Sequence, residues 1–354
     1  TMVRGAQKIG GWLAPRRRAA VQGPAHLHVV NPWMWPWFAK RFDRRLNRAL
    51  LLRQLTPLVK SLAAPPIVVT TLPITAELMG RLPVARWVYY CVDDFSQWPG
   101  LDQRTLAEME EQLVREADVL IAVSETLQER FQRMGRESQI LTHGVDLDHW
   151  QAAGKGASPV AGDAWEKPWV VFWGLVDERI DVELVRRTAQ RLKRGTVLLV
   201  GPEQDADAAL SGMPRVARVP AVDYGELPAL AHEAAVLIMP YADLPITRAM
   251  QPLKLKEYLA TRKPAVVRDL PAVREWSDCL DVAETPDQFA EAVERRLVEG
   301  LSPGQRIART RLAGEGWTAK ARRFEALLVG PASEVHVRHT LAVDLELGNT
   351  CPLP

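Results

Sequence analysis

Cysteine is scarce in this chain: three in 354 residues, Cys91, Cys279 and Cys351, never spaced as Cys-x-x-Cys. That scarcity argues against a disulfide framework and against a cysteine zinc site, and it fits a reducing cytoplasm. No apolar run approaches the roughly 20 residues that cross a bilayer. Charge of one sign is not in excess either. Lys and Arg number 45 against 43 Asp and Glu, a net charge of +2, too little to argue for nucleic acid. The N-terminal segment lacks an apolar stretch followed by a small-residue cleavage site, so no secretory signal is expected. No Gly-x-Gly-x-x-Gly follows a strand-like run. That absence argues against a nicotinamide dehydrogenase, and "GKGAS" at 154–158 lacks the earlier Gly and the Lys-Ser/Thr pair of a phosphate-binding loop. "HVRH" at 336–339 has no third ligand beside it, and no metal site is expected.

What the chain does have is alternation. Strand-like runs recur at 26–30, 66–71, 86–92, 118–124 and 138–145, and helical patterns such as "LNRALLLRQLTPLVKSL" and "TLAEMEEQLVREA" lie between several of them. Strand–helix alternation predicts parallel strands with crossover helices. From 151 to 168 the text turns to Gly, Ala and Pro without sustained periodicity, as in a connection between domains. The alternation then restarts with "WVVFWG", "TVLLVG", "RVARVP", "AVLIMP" and "KPAVVR". The expected fold is α/β with two doubly wound, Rossmann-like domains: 1–150, a linker at 151–168, a second domain at 169–330 and a tail or added strand at 331–354. Residues 1–25 show no convincing strand, so the first domain is expected to lack its opening strand and helix.

Two stretches carry the chemistry. "RWVYYCVDDFSQWPG" at 86–100 ends an aromatic strand on Asp93 and Asp94, at the carboxyl edge where loops of parallel sheets hold functional groups. Successive strand residues point to opposite faces, so one carboxylate reaches a substrate while the other caps or anchors the loop. In "AMQPLKLKEYLATRKPAVVR" at 249–268, Pro252 suits the first turn of a helix whose free amides attract phosphate. Lys254 adds charge there, and Glu257 lies one turn on along the same face, able to accept from a pair of sugar hydroxyls. The competing reading is an amphipathic helix with solvated Lys and Glu.

"QPLKLKEYLATRKPAVV" resembles the donor-site helix of group-1, family-4-like glycosyltransferases with the two-domain GT-B fold, of bacterial cell-surface glycan type. "VYYCVDDFSQW", "EADVLIAVSETLQERF" and "ILTHGVDLDHW" resemble the second half of that family's N-terminal domain, in the same order. The resemblance implies an acceptor-side first domain, truncated at its front, and a second domain binding a nucleotide-diphosphate sugar as donor substrate, with a return helix. Glu257 would bind the ribose hydroxyls, and Lys254 with the helix-start amides the diphosphate. Gly174 and Arg179, in "FWGLVDERID", would help at the phosphates, and Gly201 would lie near the nucleobase. Asp94, ahead of Asp93, would act on the acceptor hydroxyl in the cleft between the domains. No cofactor and no obligatory metal are implied. Retaining members carry a second Glu eight positions before the ribose-binding one; here that position is Ala249, which leaves the stereochemical course open.

His143, near the hinge, is a candidate for meeting the donor and more simply a structural histidine; Ser124 caps the helix after it. The basic N-terminal arm with Arg16, Arg17 and Arg18, and the loop with Trp33, Trp35 and Trp37, suit peripheral contact with the inner face of the plasma membrane. The implied function is transfer of the sugar to a hydroxyl of a glycan or lipid-linked acceptor in polysaccharide synthesis. A sugar-nucleotide epimerase of the same fold and a non-catalytic nucleotide-sugar-binding subunit are the alternatives.

Overall fold

The computed structural model describes residues 27–98, 102–151, 160, 164–329 and 340–343. The basic N-terminal arm, the front of the first domain, most of the linker and most of the tail lie outside the described residues.

Twelve strands are described: β1 (Leu27–Val30), β2 (Ile67–Thr70), β3 (Arg86–Cys91), β4 (Val119–Ala122), β5 (Gln139–Ile140), β6 (Trp169–Trp173), β7 (Thr196–Val200), β8 (Val216–Val219), β9 (Ala234–Met239), β10 (Ala265–Arg268), β11 (Asp281–Ala283) and β12 (Thr340–Val343). They form three sheets, β2-β3-β4-β5, β11-β10-β9-β6-β7-β8 and a separate pair β1-β12. Parallel registers join β2 to β3 and β3 to β4, and likewise the six strands of the larger sheet. Counted from its first strand, the larger sheet has the order 3-2-1-4-5-6 of a doubly wound fold. The expected strands 26–30, 66–71, 86–92 and 118–124 form within a residue or two of those limits. β11 was not anticipated; β12 is an added strand within 331–354, and β1 pairs with it in parallel, Leu27 opposite Thr340, outside the four-stranded sheet.

Two compact units divide the chain. One comprises residues 1–122, 128–139 and 324–354; the other comprises 123–127 and 140–323. The division therefore differs from an expected boundary at 151–168 and a second domain ending at 330. The reason is local. The run 138–145 stops being strand after Ile140, because groups of residues 142–145 are claimed elsewhere in the second unit. Thr142 Oγ1 and the His143 carbonyl accept from Lys256 at 2.9 and 2.6 Å, and Val145 pairs with Gly316. At the other end, helix Trp317–Val329 passes from one unit to the other. Its last turns belong to the first unit, where Phe324 packs on Tyr90 at 5.8 Å and the Leu328 carbonyl accepts from Arg86 at 2.6 Å.

In the second unit all five residues of β6 and of β7 are buried, which is why these runs read as continuous apolar text rather than as alternation. Burial of each such Val, Leu or Phe stabilises by about 1.5–3 kcal/mol. Edge strand β11 is tied down by charge instead. Asp281 accepts from Arg296 at 2.6 and 3.1 Å, from Arg295 at 2.7 Å and from Gln305 at 3.0 Å. Burial opposes its ionisation, but these donors outweigh burial and hold its pKa below the ordinary carboxylate range. A depressed folded-state pKa contributes stability above the unfolded value of about 3.9, and that stability is lost as pH falls through the folded value. Asp281→Asn is therefore expected to cost on the order of 3 kcal/mol at pH 7, since it takes from the buried Arg296 guanidinium its buried carboxylate and leaves it only the exposed Glu299. In urea titrations the gap from wild type should close below about pH 4; a gap that persists there refutes the assignment.

Candidate functional site

Five of the seven candidate residues lie in the second unit, and four of these form one cluster. In the six-stranded sheet the winding reverses between β6 and β9, where open α/β sheets leave a crevice beyond the strand ends. Gly174 follows β6 directly, at φ +134°. The Lys254 ammonium rests on it: a Cβ at residue 174 would lie 2.6 Å from Nζ and 2.9 Å from Cε. Gly201 follows β7 at φ +150°, and a Cβ there would lie 2.0 Å from the Gly174 carbonyl oxygen. The two glycines are thus coupled. Gly174 admits the lysine, and Gly201 admits Gly174, whose amide donates to the Val200 carbonyl at 2.9 Å.

Lys254 comes from helix Leu253–Ala260. Pro252 is the residue before this helix rather than part of its first turn, and no side chain caps the helix start. The buried Leu255, Tyr258 and Leu259 fix the helix, with the Tyr258 hydroxyl donating to the Ile238 carbonyl at 3.0 Å. Lys254 and Glu257 stay half-buried on the other side. Trp173 at the end of β6 donates its indole N–H to Glu257 at 3.1 Å. Burial raises the Glu257 pKa, partly offset by that bond and by the charges of Lys254 and His149. Trp173 stacks on Trp150 at 5.3 Å, and Trp150 meets the edge of the half-exposed Tyr224, whose ring stacks on His149 at 4.3 Å. An aromatic wall thus runs from a solvent-facing ring to the Glu257 carboxylate.

Arg179 is placed differently from its expected role. Its guanidinium grips Asp177 two residues earlier, at 2.8 to 3.0 Å, and its backbone carbonyl accepts from Ala242 at 2.7 Å. It pins the loop after β6.

Asp93 and Asp94 lie in the first unit, after β3. Asp94 caps the short turn that follows, accepting from the Ser96 amide at 3.1 Å and its hydroxyl at 2.5 Å. Arg130 binds Asp94 at 2.7 Å and the buried Glu110 at 2.5 Å, and the Tyr89 hydroxyl donates to Glu110 at 2.7 Å. A carboxylate so engaged anchors the loop that follows β3. Ser124 only weakly caps its helix, at 3.4 Å from the Leu127 amide, and donates to the Ala249 carbonyl at 2.6 Å. His143 has its pKa lowered to about 4 by burial and by Lys256 and Lys320, which keeps its imidazole neutral. Of the tryptophan loop, Trp35 is held by Asn47 and Asp43 and packs on Trp37 at 4.8 Å, while Trp33 is 45% exposed. Among the described residues no helix is long and apolar enough to cross a membrane.

A doubly wound sheet with a lysine seated over its switch point defines a protein of the Rossmann-like α/β class. Residues 167–299 match the family model described as Glycosyl transferases group 1. A putative teichuronic acid biosynthesis glycosyltransferase, TuaH of Bacillus subtilis (strain 168), is 26% identical over 178 residues. That match covers 48% of this chain and 45% of the relative, so the chain spans less than half of that relative's length. Among solved structures, sucrose-phosphate synthase from Thermosynechococcus elongatus superposes with a TM-score of 0.63 at 16% identity, over 82% of this chain and 79% of that one. Anabaena HepE in complex with UDP gives 0.59 at 14% identity, over 80% and 83%. These likenesses show the fold, GT-B with two Rossmann-like domains. Together the comparisons support the resemblance read from the sequence, a group-1 GT-B glycosyltransferase.

The glycine pair makes a graded prediction. Gly174→Ala meets only the tip of a flexible lysine and should cost on the order of 1–2 kcal/mol through its backbone conformation. Gly201→Ala meets a fixed carbonyl and should cost clearly more. Urea denaturation of both variants measures the order, and the reverse ranking would refute the coupling.

Proposed function

We propose that this protein is a glycosyltransferase that moves a sugar from a nucleotide-diphosphate donor to a hydroxyl of a glycan or lipid-linked acceptor, in the synthesis of cell-surface polysaccharide. The observation that carries the reading is the Lys254 ammonium seated on Gly174 at the switch point, with the Glu257 carboxylate one helical turn away. In this reading Lys254 and the uncapped amides of its helix meet the charge that develops on the diphosphate leaving group, a stabilisation that lowers the transition state. Glu257 takes the ribose hydroxyls, and its indole partner Trp173 fixes the carboxylate. The backbone at Gly201 stands beside the nucleobase, and Arg179 shapes the phosphate loop through Asp177. Asp94 orders the acceptor-side loop through Arg130, and the Asp93–Asp94 pair at the end of β3 is the candidate for taking or orienting the acceptor hydroxyl proton. The saccharide polymer in the name of the Bacillus subtilis relative supports a cell-surface product, and the UDP bound by HepE supports a nucleotide donor.

The test is a thermal-shift panel of UDP-, GDP-, ADP- and dTDP-sugars, because a ligand that binds the native state raises its melting temperature. Stabilisation by one of them, lost in Lys254→Ala/Glu257→Ala, is the expected result; unchanged affinity in the double variant rejects the site. Incubating the selected donor without acceptor separates this reading from an epimerase, which would change the sugar unaided. Binding without turnover on any acceptor would mark a silent subunit.

A peripheral membrane seat belongs to the same proposal. On helix Arg41–Lys60 the inner Arg44 and Arg48 pair with Glu108 and Glu77, while Arg45, Arg53 and Lys60 are exposed along one stripe with Phe42, 68% exposed. The helix has one acidic residue, Asp43, and it is buried. Cations interleaved with an aromatic suit an anionic bilayer surface. Co-sedimentation with phosphatidylglycerol vesicles should exceed that with phosphatidylcholine vesicles and fall in Arg45→Ala/Arg53→Ala/Lys60→Ala. Equal sedimentation with both lipids rejects the seat.

A further inference from the structure

We infer that Tyr241 is the positioning residue of the donor site: its hydroxyl and ring hold the Lys254 ammonium at the point where the diphosphate is to be met. The inference rests on the donor-site reading above and adds to it a residue outside the helix motif. A lysine in the first turn of a helix has four rotatable bonds and a compact charge, and left to itself it samples solvent. Here the ammonium has one place. Nζ donates to the Tyr241 hydroxyl and lies 4.9 Å from the Phe172 ring centroid and 5.0 Å from that of Tyr241. The two rings stand edge-on at 6.0 Å and are themselves buried, so the walls of this cage are fixed.

Tyr241 is fixed at the backbone as well. Ile180 and Tyr241 form an antiparallel bridge, with the Asp181 amide donating to the Pro240 carbonyl at 2.8 Å and the Ala242 amide to the Arg179 carbonyl at 2.7 Å. The same loop is held on its other side, where Val176 pairs with Glu203 and donates to the Pro202 carbonyl at 2.9 Å. The acceptor oxygen is thus laced to both strands that flank β6.

The choice of acceptor matters electrostatically. Among the described residues no carboxylate lies in ion-pair contact with Lys254, whereas the neighbouring Lys256 is paired with Glu315. A phenol oxygen and the neighbouring Phe172 ring orient an ammonium without neutralising it. The cation is held in place and keeps its charge for an anion.

The test compares ligands with and without phosphates. Tyr241→Phe keeps the ring and removes the acceptor. By isothermal titration it should weaken binding of UDP or GDP, whichever the wild type takes, about tenfold, the scale of one hydrogen bond to a charged group. Binding of the matching nucleoside, uridine or guanosine, should stay within about twofold, because a merely structural defect would weaken both alike. In a Lys254→Ala background the tyrosine substitution should add nothing, which closes a double-mutant cycle. An unchanged diphosphate affinity, an equal loss for the nucleoside, or full additivity with Lys254→Ala overturns the assignment while leaving the donor site standing. A wild-type protein that binds neither diphosphate overturns the donor-site reading itself, and this inference with it.

Discussion

Everything proposed for the second unit depends on one volume, the space above the Cα of Gly174. An ammonium occupies it because no side chain does: the residue sits at positive φ, and a Cβ there would lie 2.6 Å from the lysine Nζ, well inside van der Waals contact. Gly201 protects the arrangement from below by letting the Gly174 carbonyl approach closely. A lysine, two glycines and the ends of two parallel strands are therefore a single mechanical unit. The sheet order supplies the site's location, since the winding reverses beside β6, and the glycines supply the room.

Charge is distributed unevenly around that volume, and the unevenness is what gives it a chemical use. Lys256 is matched by Glu315, Arg179 by Asp177, and Arg130 by Asp94 and Glu110. Each of these pairs ties one piece of chain to another and leaves little field outside. Lys254 is held by neutral groups instead, so its charge remains available in a half-buried setting where water screens it poorly. Glu257 has the complementary property: burial resists its ionisation, and an indole donor fixes one of its oxygens, leaving the other as an acceptor.

How much of this was legible in the sequence follows from the range of each interaction. The apolar strands of both sheets were legible because a run buried on both faces needs no partner to be recognised. The helix carrying Lys254 and Glu257 was legible for the same reason, being complete within eight residues. The roles of Asp94 and Arg179 were not. Asp94 is claimed by Arg130, 36 residues away, and no local pattern announces that. The Asp177–Arg179 pair is adjacent in sequence, but whether such neighbours bind one another or a ligand depends on the backbone turn between them. β11 is three residues long and β12 pairs with a strand more than 300 positions earlier, both beyond reach of periodicity. Tyr241 offered a partial signal, an aromatic at the carboxyl end of a buried strand, yet nothing in its spacing points to residue 254.

The two lysines of "PLKLKEY" show where pattern ends and packing begins. Residues two apart on a helix are separated by about 200°, so the sequence requires that Lys254 and Lys256 face opposite ways. It does not say which faces inward, and the ordinary expectation is that a lysine between two leucine-rich turns is solvated. The structure buries Lys256, 2% exposed, because Thr142 Oγ1, the His143 carbonyl and Glu315 together provide an acceptor for each of its three hydrogens. With one lysine committed to that inner network, the helix cannot rotate about its axis without stranding a buried ammonium, a change far costlier than losing a surface contact. The rotation of the helix is thereby set, and with it the face on which Lys254 and Glu257 emerge. The buried lysine gives the functional one its direction.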